Sequence, residues 1–210
     1  MNKELSEMTN EELWRLFPIS LVDHSEKWDS FYDEVETLLQ GLLSDSPNCR
    51  ISHIGSTAIS DIKAKNIVDV LVEIPSGANI GDVANLLEKN GFIRMSTAPD
   101  RISLNKGYTR YGFADKVYHI HLRFFGDNDE LYFRDYLNEF PKVAKEYERL
   151  KVGLKQVLID FHYSELVLHQ ECRQESEYYC RRQTHHRGKF RRCQGYPSIL
   201  HCSRQSLSCY

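Results

Sequence analysis

Arg50-Ile51-Ser52-His53-Ile54-Gly55-Ser56-Thr57-Ala58, followed by Ile67-Val68-Asp69-Val70-Leu71-Val72, is the stretch on which the reading of the fold turns. The first run reads as a short strand that stops at Gly55-Ser56. The second reads as an apolar strand with a single carboxylate inside it, and twelve residues separate Ser56 from that Asp69. Glycine lets a chain turn sharply at a strand end and brings backbone N–H groups close to an anion with no Cβ in the way. Ser56 and Thr57 place hydroxyls beside those N–H groups. An ionised carboxylate in so apolar a strand must be paired, hydrogen-bonded or bound to metal. A divalent cation bridging Asp69 and a substrate triphosphate meets that requirement. A plain Gly-Ser turn, with Asp69 capping a neighbouring backbone group, meets it as well. The combination points to phosphoryl or nucleotidyl chemistry.

Working outward, Thr9-Asn10-Glu11-Glu12 has the form of a capping box and predicts a short helix ending before Pro18. Ile19 to Val22 reads as a short strand. From Ser25 a longer helix follows, with Trp28, Phe31, Tyr32, Val35, Leu38, Leu39 and Leu42 on one amphipathic face. Strands are expected at 49–54 and 66–74, then a helix at 79–89 that Asn90-Gly91 closes. Phe92 to Phe125 holds two or three strands, with turn signals at Pro99-Asp100, Asn105-Lys106-Gly107 and Asp115-Lys116. The last strand, Val117 to Phe125, puts His119, His121 and Arg123 on one face. Helices at 128–139 and 141–158 complete the pattern. Helices before and after a small mixed sheet give an α/β (α+β) architecture.

Four blocks of this chain resemble the GrpB-like family, regarded as a branch of the nucleotidyltransferase fold. They are His53-Ile54-Gly55-Ser56-Thr57-Ala58-Ile59 with Lys63-Ala64-Lys65-Asn66-Ile67-Val68-Asp69-Val70; Tyr118-His119-Ile120-His121-Leu122; Tyr132-Phe133-Arg134-Asp135-Tyr136-Leu137; and Pro141, Tyr147 and Leu150-Lys151. The resemblance covers residues 18–158 and implies a nucleotidyltransferase-like mixed β-sheet flanked by helices, after an N-terminal helical extension over 1–17. No substrate is established for that family, so the fold does not by itself name an activity.

The acids depart from an active nucleotidyltransferase. Such enzymes place two carboxylates two residues apart on one strand, where both point the same way and hold the metals together. Two residues after Asp69 stands Leu71. Glu73 shares the face, but four residues of strand span about 13 Å, while a shared metal cluster needs ions within about 4 Å of each other. Where a third acid is expected on a later strand, this chain has His119 and His121. Two imidazoles with Asp69 suit Mn²⁺ or Zn²⁺ better than Mg²⁺; the same histidines can instead hydrogen-bond backbone or carboxylates, or bind an anion when protonated. His53 stands near, at the end of the Gly-Ser strand. Lys63 and Lys65, between turn and carboxylate, can meet a phosphate as point charges. Arg134 can clamp a phosphate or pair with Asp135, and Tyr108, Tyr111 and Tyr118 can line a pocket or pack with wet hydroxyls.

The site expected is therefore Gly55, Ser56, Thr57, Lys63, Lys65 and Arg134 on a nucleotide or phosphate, with Asp69, His119 and His121 on a divalent metal (Mg²⁺, Mn²⁺ or Zn²⁺). Two activities follow: metal-dependent nucleotidyl transfer from a nucleoside triphosphate to an unknown acceptor, or binding of a nucleotide or phosphorylated small molecule without turnover. The missing carboxylate at Leu71 supports the second.

Composition is that of an ordinary soluble domain: 210 residues, 41% hydrophobic and 27% charged, enough for one core of about 150 residues. A net charge of −3 argues against bulk nucleic-acid binding. No apolar run has the length of a membrane span, and the polar start lacks a secretory signal, so a cytoplasmic protein is expected. From 159 to 210 the apolar pattern lapses, and Tyr178 to Tyr210 carries seven Lys or Arg with no acid. Cys172, Cys180, His185, His186, Cys193, His201 and Cys202 are zinc-ligand types without the close Cys pairs of common fingers. Such a basic tail is expected to be poorly ordered and to touch nucleic acid weakly at most; a reading-frame shift near 159–162 would also produce it.

Overall fold

A computed structural model describes residues 4–44 and 48–160 of the chain. The elements are α1 (Asn10–Leu16), α2 (Lys27–Leu42), β1 (Arg50–Ile54), β2 (Val68–Ile74), α3 (Ile80–Lys89), β3 (Ile93–Thr97), β4 (Arg101–Thr109), β5 (Gly112–Phe124), α4 (Asp129–Glu139) and α5 (Pro141–Asp160). The chain divides into two compact units between Arg149 and Leu150, inside α5. The five-stranded sheet lies wholly within the first.

The predicted capping box is present: Thr9 Oγ1 accepts from the Glu12 N–H, and the Glu12 carboxylate accepts from the Thr9 N–H at 2.8 Å. Asn79 caps α3 in the same sense, accepting from the Gly81 N–H at 2.9 Å. Gly91, at φ +84°, takes the left-handed position that ends α3.

Five strands form one mixed sheet in the order β1-β2-β5-β4-β3, with β2 and β5 parallel and the other pairs antiparallel. Alternation divides it into two chemically different faces. Val68, Val70, Val72 and Ile74 of β2, Ile120 and Leu122 of β5, and Ile102 and Leu104 of β4 face one way. They form the main core with Trp28, Val35 and Leu39 of α2 and Ile80, Val83, Ala84 and Leu87 of α3. Leu38, expected on the apolar face of α2, is exposed instead. The other face carries Asp69 and Glu73 of β2, His119, His121 and Arg123 of β5, and Ser103 and Asn105 of β4. Register places Asp69, His119 and Asn105 in one row across three neighbouring strands.

Three local expectations are corrected. Ile19 to Val22 is not a strand: Val22 alone bridges Ala64, and Ile19 stays exposed. Asn105-Lys106-Gly107 lies within β4, where Gly107 at φ +96° marks an irregularity in register rather than a chain reversal. Asp115-Lys116 lies within β5, which begins at Gly112 instead of Val117. The actual hairpin turn is Arg110-Tyr111, locked by Thr109, whose Oγ1 accepts from the Tyr111 N–H at 3.1 Å and donates to the Gly112 carbonyl at 2.8 Å.

A second, smaller cluster of Ile59, Ile62, Leu137 and Ala144, with Phe133, Tyr136, Val143 and Tyr147 against it, joins the segment after β1 to α4 and α5. Asn138 of α4 grips that segment twice, accepting from the Ser60 N–H and donating to the Ala58 carbonyl, both at 2.9 Å. Lys145 donates to the Asp61 carbonyl, and Glu148 accepts from the Lys63 N–H at 2.5 Å. The Gly-Ser turn is thus held from both ends, by the sheet and by the helix pair.

Candidate metal and phosphate site

Asp69 is the second residue of β2, and parallel pairing sets it directly beside His119. His121, two residues along β5, points to the same side. The Asp69 Oδ1 atom lies 3.2 Å from His119 Nδ1 and 3.3 Å from His121 Nε2, and the ligand-type atoms of the three residues all fall within 4.8 Å of one another. Both histidine side chains are buried, while a fifth of the Asp69 side chain stays exposed, which leaves the carboxylate as the point of access. Burial pushes the Asp69 carboxyl up; hydrogen bonds from His119 and His121 outweigh it and hold the group below the usual carboxylate range.

These separations bear on what the cluster can hold. At 3.2 and 3.3 Å both contacts are within hydrogen-bond reach, at the long end for a charge-assisted N–H···O⁻ pair, which is about 2.7–2.9 Å. Two ligand atoms on one ion, with bonds of about 2.0–2.2 Å, stand about 3–3.5 Å apart, which matches both. One carboxylate and two imidazoles form a donor set suited to Zn²⁺ or Mn²⁺ rather than to the oxygen-seeking Mg²⁺. Among the described residues this is the group of three such side chains that converges.

Gly55 closes over Asp69 from β1. Its backbone sits at φ +72° and ψ −171°, a region essentially confined to glycine. A Cβ there would lie 2.4 Å from Asp69 Oδ2. Gly55 therefore does more than turn the chain, since its missing side chain is the space the carboxylate occupies. Gly55 also caps the 3₁₀ turn Ser56–Ala58, in which Ser56 is half-buried.

The remaining expected residues have the following surroundings. Thr57 is buried, its Oγ1 3.0 Å from His53 Nε2. His53 stacks on Tyr32 of α2, ring centroids 4.8 Å apart, and burial pushes its imidazole down to about 4. Lys63 pairs with Asp23, and Lys65 is half-buried. Arg134 donates to the His53 carbonyl at 2.7 Å and pairs with Asp135 at 2.6 Å, so it ties α4 to β1. Glu73 accepts from Asn128 Nδ2 at 2.9 Å and is not part of the converging group. Leu71 is fully buried where a second carboxylate would stand.

Two further residues belong beside the site: Tyr108, which the sequence offered only as a pocket-lining or packing tyrosine, and Asn105, which it did not single out for the site. Tyr108 Oη lies 2.8 Å from His119 Nε2. Asn105, next to His119 across the strand pair, is buried, with Oδ1 unpartnered. The signal for Tyr108 was Gly107, read as a turn. The cysteine- and histidine-bearing tail lies outside the described residues. No helix among the described residues is long and apolar enough to cross a membrane.

The family model described as GrpB protein matches residues 18–165. The glutamate-rich protein GrpB of Alkalihalophilus pseudofirmus is 34% identical over 143 residues, 66% of this chain and 82% of that one. The UPF0157 protein YqkA of Bacillus subtilis is 30% identical over 148 residues, and this match spans 68% of the chain but only 42% of the relative. Among solved structures, the conserved protein GrpB from Enterococcus faecalis is similar at a TM-score of 0.58 and 28% identity, covering 76% of this chain and 99% of that one.

Proposed function

The chain belongs to the GrpB family, and we propose that it binds a divalent cation through Asp69, His119 and His121 and, beside it, the phosphates of a nucleoside triphosphate or another phosphorylated small molecule. The observation that carries this reading is the pair of 3.2 and 3.3 Å contacts from Asp69 Oδ1 to the two imidazoles, at the foot of the Gly55-Ser56 turn. The reaction we assign is nucleotidyl transfer to an acceptor not identified by the site. A bound cation would polarise a phosphoryl oxygen and neutralise charge on the leaving group. The chain's own part is orientation: Gly55 admits the carboxylate, Ser56 and the turn's backbone N–H groups offer donors to phosphate, and the clamp from α4 and α5 keeps the turn in place.

Leu71 favours a second reading, binding without turnover, because a buried aliphatic side chain replaces the partner carboxylate of a two-metal site. Isothermal titration with Zn²⁺ or Mn²⁺, then with nucleoside triphosphates in the presence of the ion, tests both readings. Asp69→Asn should weaken ion binding about 100-fold or more, exceeding the effect of losing an outer partner, and abolish ion-dependent nucleotide binding in a folded protein. Equal binding by the variant would reject the site. Nucleotide binding with no pyrophosphate released against a panel of acceptors would select the second reading.

A further inference from the structure

We propose that Tyr108 is a positioning residue for the Asp69–His119–His121 centre, holding Nε2 of His119 as acceptor or as donor so that Nδ1 faces Asp69 and the ion; the inference rests on the metal reading above. His119 has one nitrogen at each end of a hydrogen-bonded chain. Nδ1 faces Asp69 Oδ1 at 3.2 Å and Nε2 faces Tyr108 Oη at 2.8 Å. Without an ion, an ionised Asp69 can only accept, so Nδ1 carries the proton and Nε2 accepts from the phenol. With an ion on Nδ1, that nitrogen must lose its proton, and the neutral ring then carries hydrogen on Nε2. Nε2 becomes a donor, and Tyr108 must turn from donor to acceptor. A hydroxyl serves in both directions, as neither an amide nitrogen nor a carboxylate does.

The fold is built to put that hydroxyl there. Simple alternation from Asn105, which shares the face of His119, would send Tyr108 to the opposite side of the sheet. The irregularity at Gly107 reverses it, and Gly107 can make this bend because a Cβ would lie 2.3 Å from the Lys116 carbonyl oxygen. The Tyr108 ring is then walled by Phe17, at 4.8 Å between centroids, and Phe113, at 5.1 Å, and lies over His119 at 5.8 Å. His119 is buried, so no water takes over the role of a deleted hydroxyl without repacking.

Tyr108→Phe keeps the ring and its aromatic neighbours while removing the switchable partner. Titration with Zn²⁺ alone should show affinity lower by about 10–100-fold than in the wild type, while the ion-free variant stays folded but melts somewhat lower, because the buried Nε2 loses its hydrogen-bond partner. Wild-type affinity in the variant would overturn the inference while leaving the metal reading intact. Failure of the wild type to take up Zn²⁺ would overturn the metal reading and the inference with it. Nitrogen-15 spectra of the His119 ring need no variant: the proton should reside on Nδ1 in the ion-free wild type and on Nε2 after Zn²⁺ is added. A proton on Nε2 in both states would overturn the switch.

Discussion

Gly55 and Asp69 act as one unit, since the carboxylate fills the volume a side chain at 55 would need. Gly55→Ala must accommodate both a backbone conformation reserved for glycine and a Cβ 2.4 Å from Asp69 Oδ2. Strain of about 1–3 kcal/mol and overpacking of similar size should together destabilise the protein by roughly 2–6 kcal/mol, read from the shift in urea midpoint. Gly77→Ala, where a Cβ meets nothing within 4 Å, is the matched control. A loss at Gly55 no larger than at Gly77 would refute the close approach. At this scale the sequence was legible as far as residue types: Gly55, Asp69, His119 and His121 could be named from spacing and resemblance. The contact between Gly55 and Asp69 could not, because it depends on the turn at 55 folding back over a neighbouring strand.

At the scale of elements, the turn between β1 and β2 depends on α4 and α5. Arg134 is the clearest link, reaching from α4 to the His53 carbonyl of β1. Arg134→Gln should therefore lower stability by about 1–3 kcal/mol, as expected when a charged hydrogen bond to a backbone acceptor is lost. Nucleotide affinity of the folded fraction should hold within a factor of about two, well under the tenfold that 1.4 kcal/mol represents. Calorimetric unfolding with parallel nucleotide titration checks both, and lost affinity at unchanged stability would return Arg134 to the phosphate. Helices and most strands were legible from periodicity and caps, with β1, β2, α3 and α4 within two residues of expectation. Two of the errors fell where glycine and aspartate usually mean a turn: Gly107 and Asp115 sit inside β4 and β5, at the stretch where the register between the two strands shifts and pairing resumes beyond it.

For the whole molecule, stability should fall on acidification before ordinary carboxylates titrate. Burial holds the His53 imidazole at about 4, below its usual 6.5. Between these values the unfolded chain binds a proton that the native state refuses. The stabilisation is therefore full above pH 6.5 and is lost as pH falls towards 4. The magnitude is on the order of 3 kcal/mol. Asp69, held low, adds a loss of the same sign at still lower pH. Melting temperatures across this window should decline in the wild type and flatten in His53→Gln; a flat wild-type profile would show that His53 is not buried neutral.

The sequence by itself determined the order and kind of elements, the amphipathic cover of one sheet face, and the residue types capable of holding phosphate and metal. These are local properties, set by period, caps and composition within a few residues of one another. Tertiary structure alone decided which of those residues meet. Parallel pairing of β2 with β5 brings Asp69 to two histidines fifty and fifty-two positions away, the irregularity at Gly107 brings Tyr108 to the same face, and Lys63 is drawn off to Asp23. Strand register and the side to which each side chain points are properties of the assembled sheet, so no single segment carries them.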